Sequence, residues 1–554
     1  MKTKSIGILT LFMALVVQIT FAQERTFSGT VSDKDGPLPG VSVLIRGTTI
    51  GTETDFDGKF SIKAKTGDLL EFSYVGYEKI EKVLEDSSNV INVTLEEGIG
   101  LDEIVVVAFG KKRKEQLTSA VSVISSAELA KMTPSLSIDN MLQGKATGVQ
   151  VVGGNGKPGQ TAFVRIRGIG SVNASSAPLY IIDGLVAPDL TNINPQDIES
   201  MSVLKDAATA SKYGSRAANG VIVIKTKTGQ KNKKAVVTIS TRYGTGRKIK
   251  DNFKMMNAAQ KIQYERELAA LGVSNAAALP GPLITSDKEY NALVAKDTDW
   301  FDELLKKSKI QSTAVSIAGG SKEIAYFLSL GHDTNTGIIQ DLNGFKRSNI
   351  RMNIDYEAKD WLNISTNFSF TSSKSDEPRD RNNVQNPFRA MYDYNPYQTK
   401  YMLDSYGNAI LDENGNPEFN LTRNGFSISE AIINNPQVVY TRTLIGGLSA
   451  TANITNGFSN TFKIGGSNTD LRDEYFVKPG SVLDGYVGDA NNPGSKKDDG
   501  SSELDYTITN LLEYNRVFNE KHDVTLTGLF EFNERILRSY SLSSIGFSNK
   551  FVMV

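Results

Sequence analysis

The chain has 554 residues, more than a single domain ordinarily holds, and its 61 Lys and Arg against 62 Asp and Glu leave a net charge of -1. That balance excludes an overall electrostatic attraction to nucleic acid or to an anionic membrane face, so partners must be recognised by local features. With no Cys and only two His, the chain has no disulfides, no lipid-modified Cys and almost nothing from which to build a zinc site.

Residues 1–22 read as a leader. Lys2 and Lys4 precede an apolar run from Ile6 to Val17, and Thr20-Phe21-Ala22 puts small residues at the -3 and -1 positions of a signal-peptidase site. Export follows, with Gln23 as the mature N-terminus; the run is short for a permanent spanning helix, the alternative being an uncleaved anchor. No later segment supplies the roughly 20 consecutive apolar residues of a spanning helix. The 25 Phe, 20 Tyr and 48 Gly suit a β-rich protein with many turns.

Residues 23–97 alternate strand-like runs (FSGTVSD, VSVLIRG, KFSIKA, LLEFSYVGY, INVTLEE) with turn signals, enough for one small antiparallel sandwich. Asp55, Asp57 and Gly58 could be taken for a calcium loop, but the later Glu is missing and a tight turn is the simpler reading. The core LPGVSVLIRGTTIGTETDFDGKFSI resembles the carboxypeptidase-regulatory-like domain, a transthyretin-like sandwich. Such modules accompany zinc carboxypeptidases, yet His332 and His522 both fall in predicted strands and no metal set is available, so no enzyme and no cofactor are expected.

Residues 98–115 hold an apolar β-branched run, Asp102-Glu103-Ile104-Val105-Val106-Val107, bounded by Gly98 and Gly100 before it and Gly110 after it. Left unpaired, its backbone could add as an edge strand to another protein's sheet; it could equally be one more strand of the sandwich. The basic residues Lys111 to Lys114 read as a solvated spacer. Residues 116–229 are Gly-rich and compact, with FVRIRGIGS, PLYIIDGLV and KDAATASKYGSRAANGVIVIKT as their main features. Arg165 and Arg167 would share a face at strand period and so could form a charge network, or else ordinary salt bridges. Pro195 to Glu199 fits a helix start. GGNGKPG at 153–159 lacks the spacing of a phosphate-binding loop and reads as a mobile loop.

The handle followed by the basic cluster and LTSAVSVIS is similar to the TonB box and plug entrance of SusC/RagA-type, TonB-linked outer-membrane proteins, whose usual form is close to DEVVVVGYG. Here Ile104 replaces Val, and Ala108-Phe109-Gly110 replaces Gly-Tyr-Gly, which stiffens the join at 108. The resemblance implies that Asp102, Glu103, Ile104, Val105, Val106 and Val107 contact TonB, that energy comes from its inner-membrane complex, and that a SusD-like surface lipoprotein caps the protein.

From residue 230 to 554 hairpins dominate. Ile350, Met352, Ile354 and Tyr356 alternate with Asn349, Arg351, Asn353 and Asp355, and after a four-residue turn Leu362, Ile364, Phe368 and Phe370 alternate with Asn363, Ser365, Asn367 and Ser369. This pattern fits a membrane barrel with a wet lumen, though a soluble sandwich alternates identically. Nine predicted strands, near 236–246, 311–319, 323–332, 345–356, 361–372, 437–453, 458–467, 504–516 and 522–534, are joined by alternately long and short connections, as a barrel requires. Tyr356 and Trp361 would lie in an aromatic girdle. Tyr392, Tyr394, Tyr397 and Tyr401 could stack on sugar rings or pack within their loop.

The expected fold is thus mainly β: a transthyretin-like β-sandwich, an α+β plug domain and an incomplete antiparallel transmembrane β-barrel. Nine strands against the about 22 of the resembled family suggest a fragment or truncated frame. The expected function is TonB-dependent import of a nutrient ligand, a glycan or peptide, across outer-membrane lipid, with no nucleic-acid partner. The alternatives are a siderophore-type transporter and a surface ligand-binding or adhesion protein without transport.

Overall fold

The computed structural model describes residues 25–548, except 35, 47, 49, 75–76, 78, 86–87, 96–103, 108–109, 114–120, 131–136, 154–155, 172–174, 192, 380–383, 423–424 and 519–521. The chain divides into two compact units, residues 1–105 with 111–118, and residues 106–110 with 119–554.

In the first unit, β1 (Arg25–Ser32), β2 (Ser42–Ile45), β3 (Gly51–Glu53), β4 (Lys59–Ala64), β5 (Leu69–Ser73), β6 (Ile80–Val83) and β7 (Val93–Thr94) form two sheets, ordered β4-β1-β7 and β3-β2-β5-β6. Period-two alternation buries Phe60, Ile62 and Ala64 of β4 while Lys59, Ser61 and Lys63 face water. These join Phe27, Val31, Leu70 and Phe72 in one core, where Phe60 and Phe72 meet edge to face at 5.3 Å. Asp55 is a turn residue: its Oδ1 accepts from the backbone N–H of Asp57 at 3.0 Å and of Lys59 at 2.8 Å. Two short strands follow, β8 (Ile104–Val107) and β9 (Gly110–Arg113).

The second unit begins with an α+β domain containing β10 (Val121–Ser125), β11 (Val149–Val152), β12 (Phe163–Ile166), β13 (Leu179–Ile182), β14 (Leu185–Ala187), β15 (Ile198–Leu204) and β16 (Val221–Thr226). Five strands run β10-β15-β16-β13-β14, β13 and β16 being parallel, and β11 pairs with β12. The expected helix start at Pro195 is a single 3₁₀ turn, Pro195–Asp197, which gives way at once to β15. The run IESMSVL is β-prone and pairs on both sides, with β10 and β16, so tertiary pairing overrides the local helix-start signal.

A nine-stranded antiparallel meander follows: β17 (Lys233–Gly246), β18 (Ser308–Gly320), β19 (Ile324–Asn335), β20 (Phe345–Lys359), β21 (Leu362–Glu377), β22 (Gln437–Thr455), β23 (Phe458–Val477), β24 (Ser495–Phe518) and β25 (His522–Ile545), each paired with its sequence neighbour. Connections at 321–323, 360–361 and 456–457 are tight, whereas 247–307, 378–436 and 478–494 are long. At the long-loop end, the helix Ala258–Ala270 opens with a capping box between Asn257 and Gln260. Trp300, Met391, Tyr394, Phe426, Ile428 and Leu483, drawn from three long loops, share a separate apolar cluster.

The sheet is inside out relative to a soluble sandwich. On β20, Arg347, Asn349, Arg351 and Asn353 are buried, Asn349 at 4% and Arg351 at 3% exposure, while Ile350 is 41% exposed. The same inversion holds in neighbouring strands: Ser329, Thr371, Thr443 and Ser467 are buried, and Leu330, Phe368, Leu444 and Ile464 are exposed. A face that exposes Leu, Ile and Phe and buries Ser, Thr, Asn and Arg belongs in hydrocarbon, not water. Tyr356 and Trp361 are exposed beside the 360–361 turn, where an interfacial girdle would lie. Strands of 12 to 24 residues exceed the about 9–11 that a tilted spanning strand needs. Among the described residues no helix is long and apolar enough to cross a membrane.

Candidate functional site

The polar face of the wall is filled by the α+β domain, and the contact centres on the β13–β14 hairpin. Its two-residue turn places Asp183 at φ 49 and Gly184 at φ 86, the left-handed pair that Asp-Gly supplies in tight hairpins. The turn presents the Asp183 carboxylate to the wall. Oδ1 accepts from the backbone N–H of Thr226 at 2.8 Å, and Oδ2 accepts from Thr226 Oγ1 at 2.7 Å and from Arg351 Nη1 at 3.0 Å. Arg351 also donates to Thr226 Oγ1 at 3.3 Å, and the Asn353 amide donates to that hydroxyl at 2.8 Å and to the Lys227 carbonyl at 2.7 Å.

Two inward positions back along β20 from Arg351, Arg347 is held by Asp333 of β19, with Nη2 to Oδ2 at 2.7 Å, and donates through Nη1 to the Thr191 carbonyl of the α+β domain at 2.5 Å. Gln196 donates to Ser312 at 3.1 Å, and Lys157 pairs with Glu377 at 2.8 Å. Removing one partner of such a buried pair strands the other charge, at a cost of about 3–5 kcal/mol. These contacts clamp the domain without making it one continuous core with the wall, although Ile445 of β22 does pack into the domain's own apolar cluster.

Of the two readings of Arg165 and Arg167, a charge network or ordinary salt bridges, Arg167 follows the second, and the two form no shared network among the described ion pairs. β12 ends at Ile166 and Arg167 takes φ 59, so the two arginines do not share a strand face. Arg167 pairs with Asp206 inside the domain, and among the described ion pairs none includes Arg165. The network toward the wall uses Asp183, Arg347 and Arg351 instead. Two signals for it lay in the sequence: arginines at alternate inward positions of a wet-faced strand, Arg347 and Arg351 on either side of Asn349, and an acidic Asp-Gly turn in PLYIIDGLV. Of GGNGKPG, Asn155 and Gly154 lie outside the described residues, while Lys157 is anchored by Glu377. In the handle, Asp102 and Glu103 also lie outside the described residues; Ile104, Val105, Val106 and Val107 form β8.

Loop packing accounts for most of the tyrosines. Tyr394 and Tyr397 are buried, Tyr394 donating to the Phe426 carbonyl at 3.4 Å and accepting from Ile428 N–H at 3.1 Å, and Tyr397 donating to Glu265 at 2.9 Å. Tyr401 packs on Phe419, and Tyr392 is exposed beside Phe253 and Phe301. A cleft of about 1000 Å³ opens there, lined by Lys248, Phe253, Met256, Trp300, Phe301 and Tyr394. Within the domain, burial pushes the Asp139 carboxyl up to about 7, opposed by the hydroxyl of Tyr180 that donates to it at 3.3 Å. Burial also raises Asp197, and Ser329, Arg351 and Lys227 act against that rise. Among the described residues no group of His, Cys, Asp or Glu could hold a metal ion.

Known proteins share both parts. Residues 113–221 match the family model "TonB-dependent Receptor Plug Domain", and residues 27–106 match the CarboxypepD_reg-like domain. The chain is 37% identical over 72% of its length to TonB-dependent receptor P26 of Formosa agariphila, covering 37% of that protein. It is 35% identical over 64% of its length to TonB-dependent receptor SusC of Bacteroides thetaiotaomicron, covering 34% of it, and 30% identical over 98% to receptor P39 of Formosa agariphila, covering 49%. The solved RagAB peptide transporter superposes with a TM-score of 0.67 at 25% identity, over 78% of this chain and 50% of that one. The chain therefore spans about a third to a half of the length of the curated relatives it matches. These relatives are receptors and transporters, not enzymes.

Proposed function

We propose, from the premise that this chain is of the SusC/RagA type of TonB-dependent receptors, that it serves the import of a nutrient such as an oligosaccharide or a peptide across the outer membrane. The observation that carries the proposal is the inside-out sheet whose polar face packs against an ion-paired plug with an apolar cluster of its own. A lumen lined by Ser, Thr, Asn and Arg passes polar solutes, and a domain seated there by a few clamps closes it until something pulls.

The assignment of parts follows from that reading: 1–22 signal peptide, 23–97 sandwich, 98–115 TonB box and linker, 116–229 plug, 230–554 barrel wall. Ligand would bind on the long-loop side, where aromatic and cationic side chains line the cleft beside Trp300 and Phe301. The segment Asp102 to Val107 would be taken up by TonB through strand addition, so that main-chain hydrogen bonds carry the force, and the periplasm would hold it and the sandwich. A SusD-like surface lipoprotein would close the outer side.

The test is deletion of residues 102–107. Uptake should be lost while ligand binding at the surface persists. Uptake at the unaltered rate would remove the handle from the mechanism.

A further inference from the structure

We propose that Leu185 is a positioning residue of the gate, seated in a pit that two paired glycines open in the barrel wall; this rests on reading the α+β domain as a plug that moves. The pit has a sequence origin. β22 carries Ile445-Gly446-Gly447 and β23 carries Ile464-Gly465-Gly466, and their antiparallel register sets Gly447 directly opposite Gly465. Side chains alternate across a strand, and Thr443 and Ile445 on β22 and Ser467 on β23 are buried at even spacing from these glycines, so both glycines face the plug. The wall is therefore recessed by two side chains at one point.

Leu185, the first residue after the Asp183-Gly184 turn, fills that recess. A Cβ added to Gly447 would lie 2.9 Å from Leu185 Cδ1, and one added to Gly465 would overlap Leu185 Cδ2. Leu185 is 8% exposed, and neighbouring Ile445 joins the plug's apolar cluster. The same hairpin is thus held twice, by the Asp183 to Arg351 ion pair and by a peg whose shape admits one position. Dispersion contacts lose about a quarter to a half of their strength over a gap of 0.5–1 Å, so the peg resists small displacements and its hold weakens steeply once the hairpin moves. It also fixes where the plug returns.

The experiment uses the protein in its own outer membrane, in cells lacking TonB, with entry of a large glycopeptide antibiotic as the measure of leak. Leu185→Ala should lower the inhibitory concentration several-fold, Gly447→Leu should do the same by expelling the peg, and the double variant, which moves the side chain from plug to wall, should return toward the unaltered value. Resistance unchanged from the unaltered protein in either single variant, or a double variant at least as leaky as either single, would overturn the proposal. The chain has no Cys, so L185C/G447C can be probed with a short bifunctional thiol reagent. Cross-linked plug and wall support the seat, and failure to cross-link in protein that has reached the membrane overturns it. Uptake by the unaltered protein with and without TonB tests the importer reading separately, since TonB-independent uptake would end that reading whatever the leak assay shows.

Discussion

At the scale of single residues, buried charges hold the plug to the wall, and individual side chains make distinct predictions. Arg351→Ala leaves Asp183 with its Thr226 contacts but no cation, so the plug should lose on the order of 3 kcal/mol of stability, measured as a lower urea midpoint for protease protection of residues 121–226. Arg165→Ala should leave that midpoint within experimental error. Asp139 predicts a pH dependence. Its carboxyl sits near 7 in the folded plug because burial disfavours the ionised form, whereas the unfolded chain ionises near 4. Between those values the folded state binds the extra proton, so the contribution of Asp139 to stability is most favourable at low pH and is lost as pH rises toward 7. Asp139→Asn keeps an acceptor for Tyr180 and should flatten that slope, raising the urea midpoint at pH 8 and not at pH 4. These residues were only partly legible in the sequence. Arg351 stood out as a polar position on an alternating strand, but its partner lies 168 residues away, and local spacing carries no information about such a pairing. Arg165 and Arg167 looked paired because period two was carried past the end of β12, and the backbone turns at Arg167.

At the scale of elements, alternation decides which face of each strand meets lipid. Ile350→Lys puts a charge on the outward face and should cost about 2–4 kcal/mol if it lies at the bilayer midplane, read as a urea titration of folding into lipid vesicles. The nine wall strands and their alternately long and short connections were legible because each strand repeats a strong period-two pattern bounded by turn residues. Their lengths were not: β23 and β24 run on well past the predicted ends through DLRDEYFV and SKKDDGSSE, polar stretches that stay paired beyond the apolar band. The helix start at Pro195 is real but stops after one 3₁₀ turn, since β-pairing on both flanks of the next segment overrules the local signal. Tyr394 and Tyr397 show the same limit, because an aromatic loop gives no sign from sequence of whether it packs on itself or waits for a ligand.

At the scale of the molecule, the wall turns its polar side inward and the plug is clamped to that side. Fold class was legible because each part has its own periodicity and punctuation; the seat between plug and wall was not, because it is made by residues from distant strands. The claim on which everything else depends is that the wall is a membrane surface on its apolar face and a plug seat on its polar face. It is tested most directly by single cysteines in this Cys-free chain at 349 through 356, each spin-labelled in lipid and read for collision with oxygen and with a water-soluble relaxant. Labels at 350, 352 and 354 should collide with oxygen alone, and those at 349, 351 and 353 with neither reagent freely. Free collision of the water-soluble relaxant at 350, 352 and 354 would show an aqueous outer face and contradict the membrane wall.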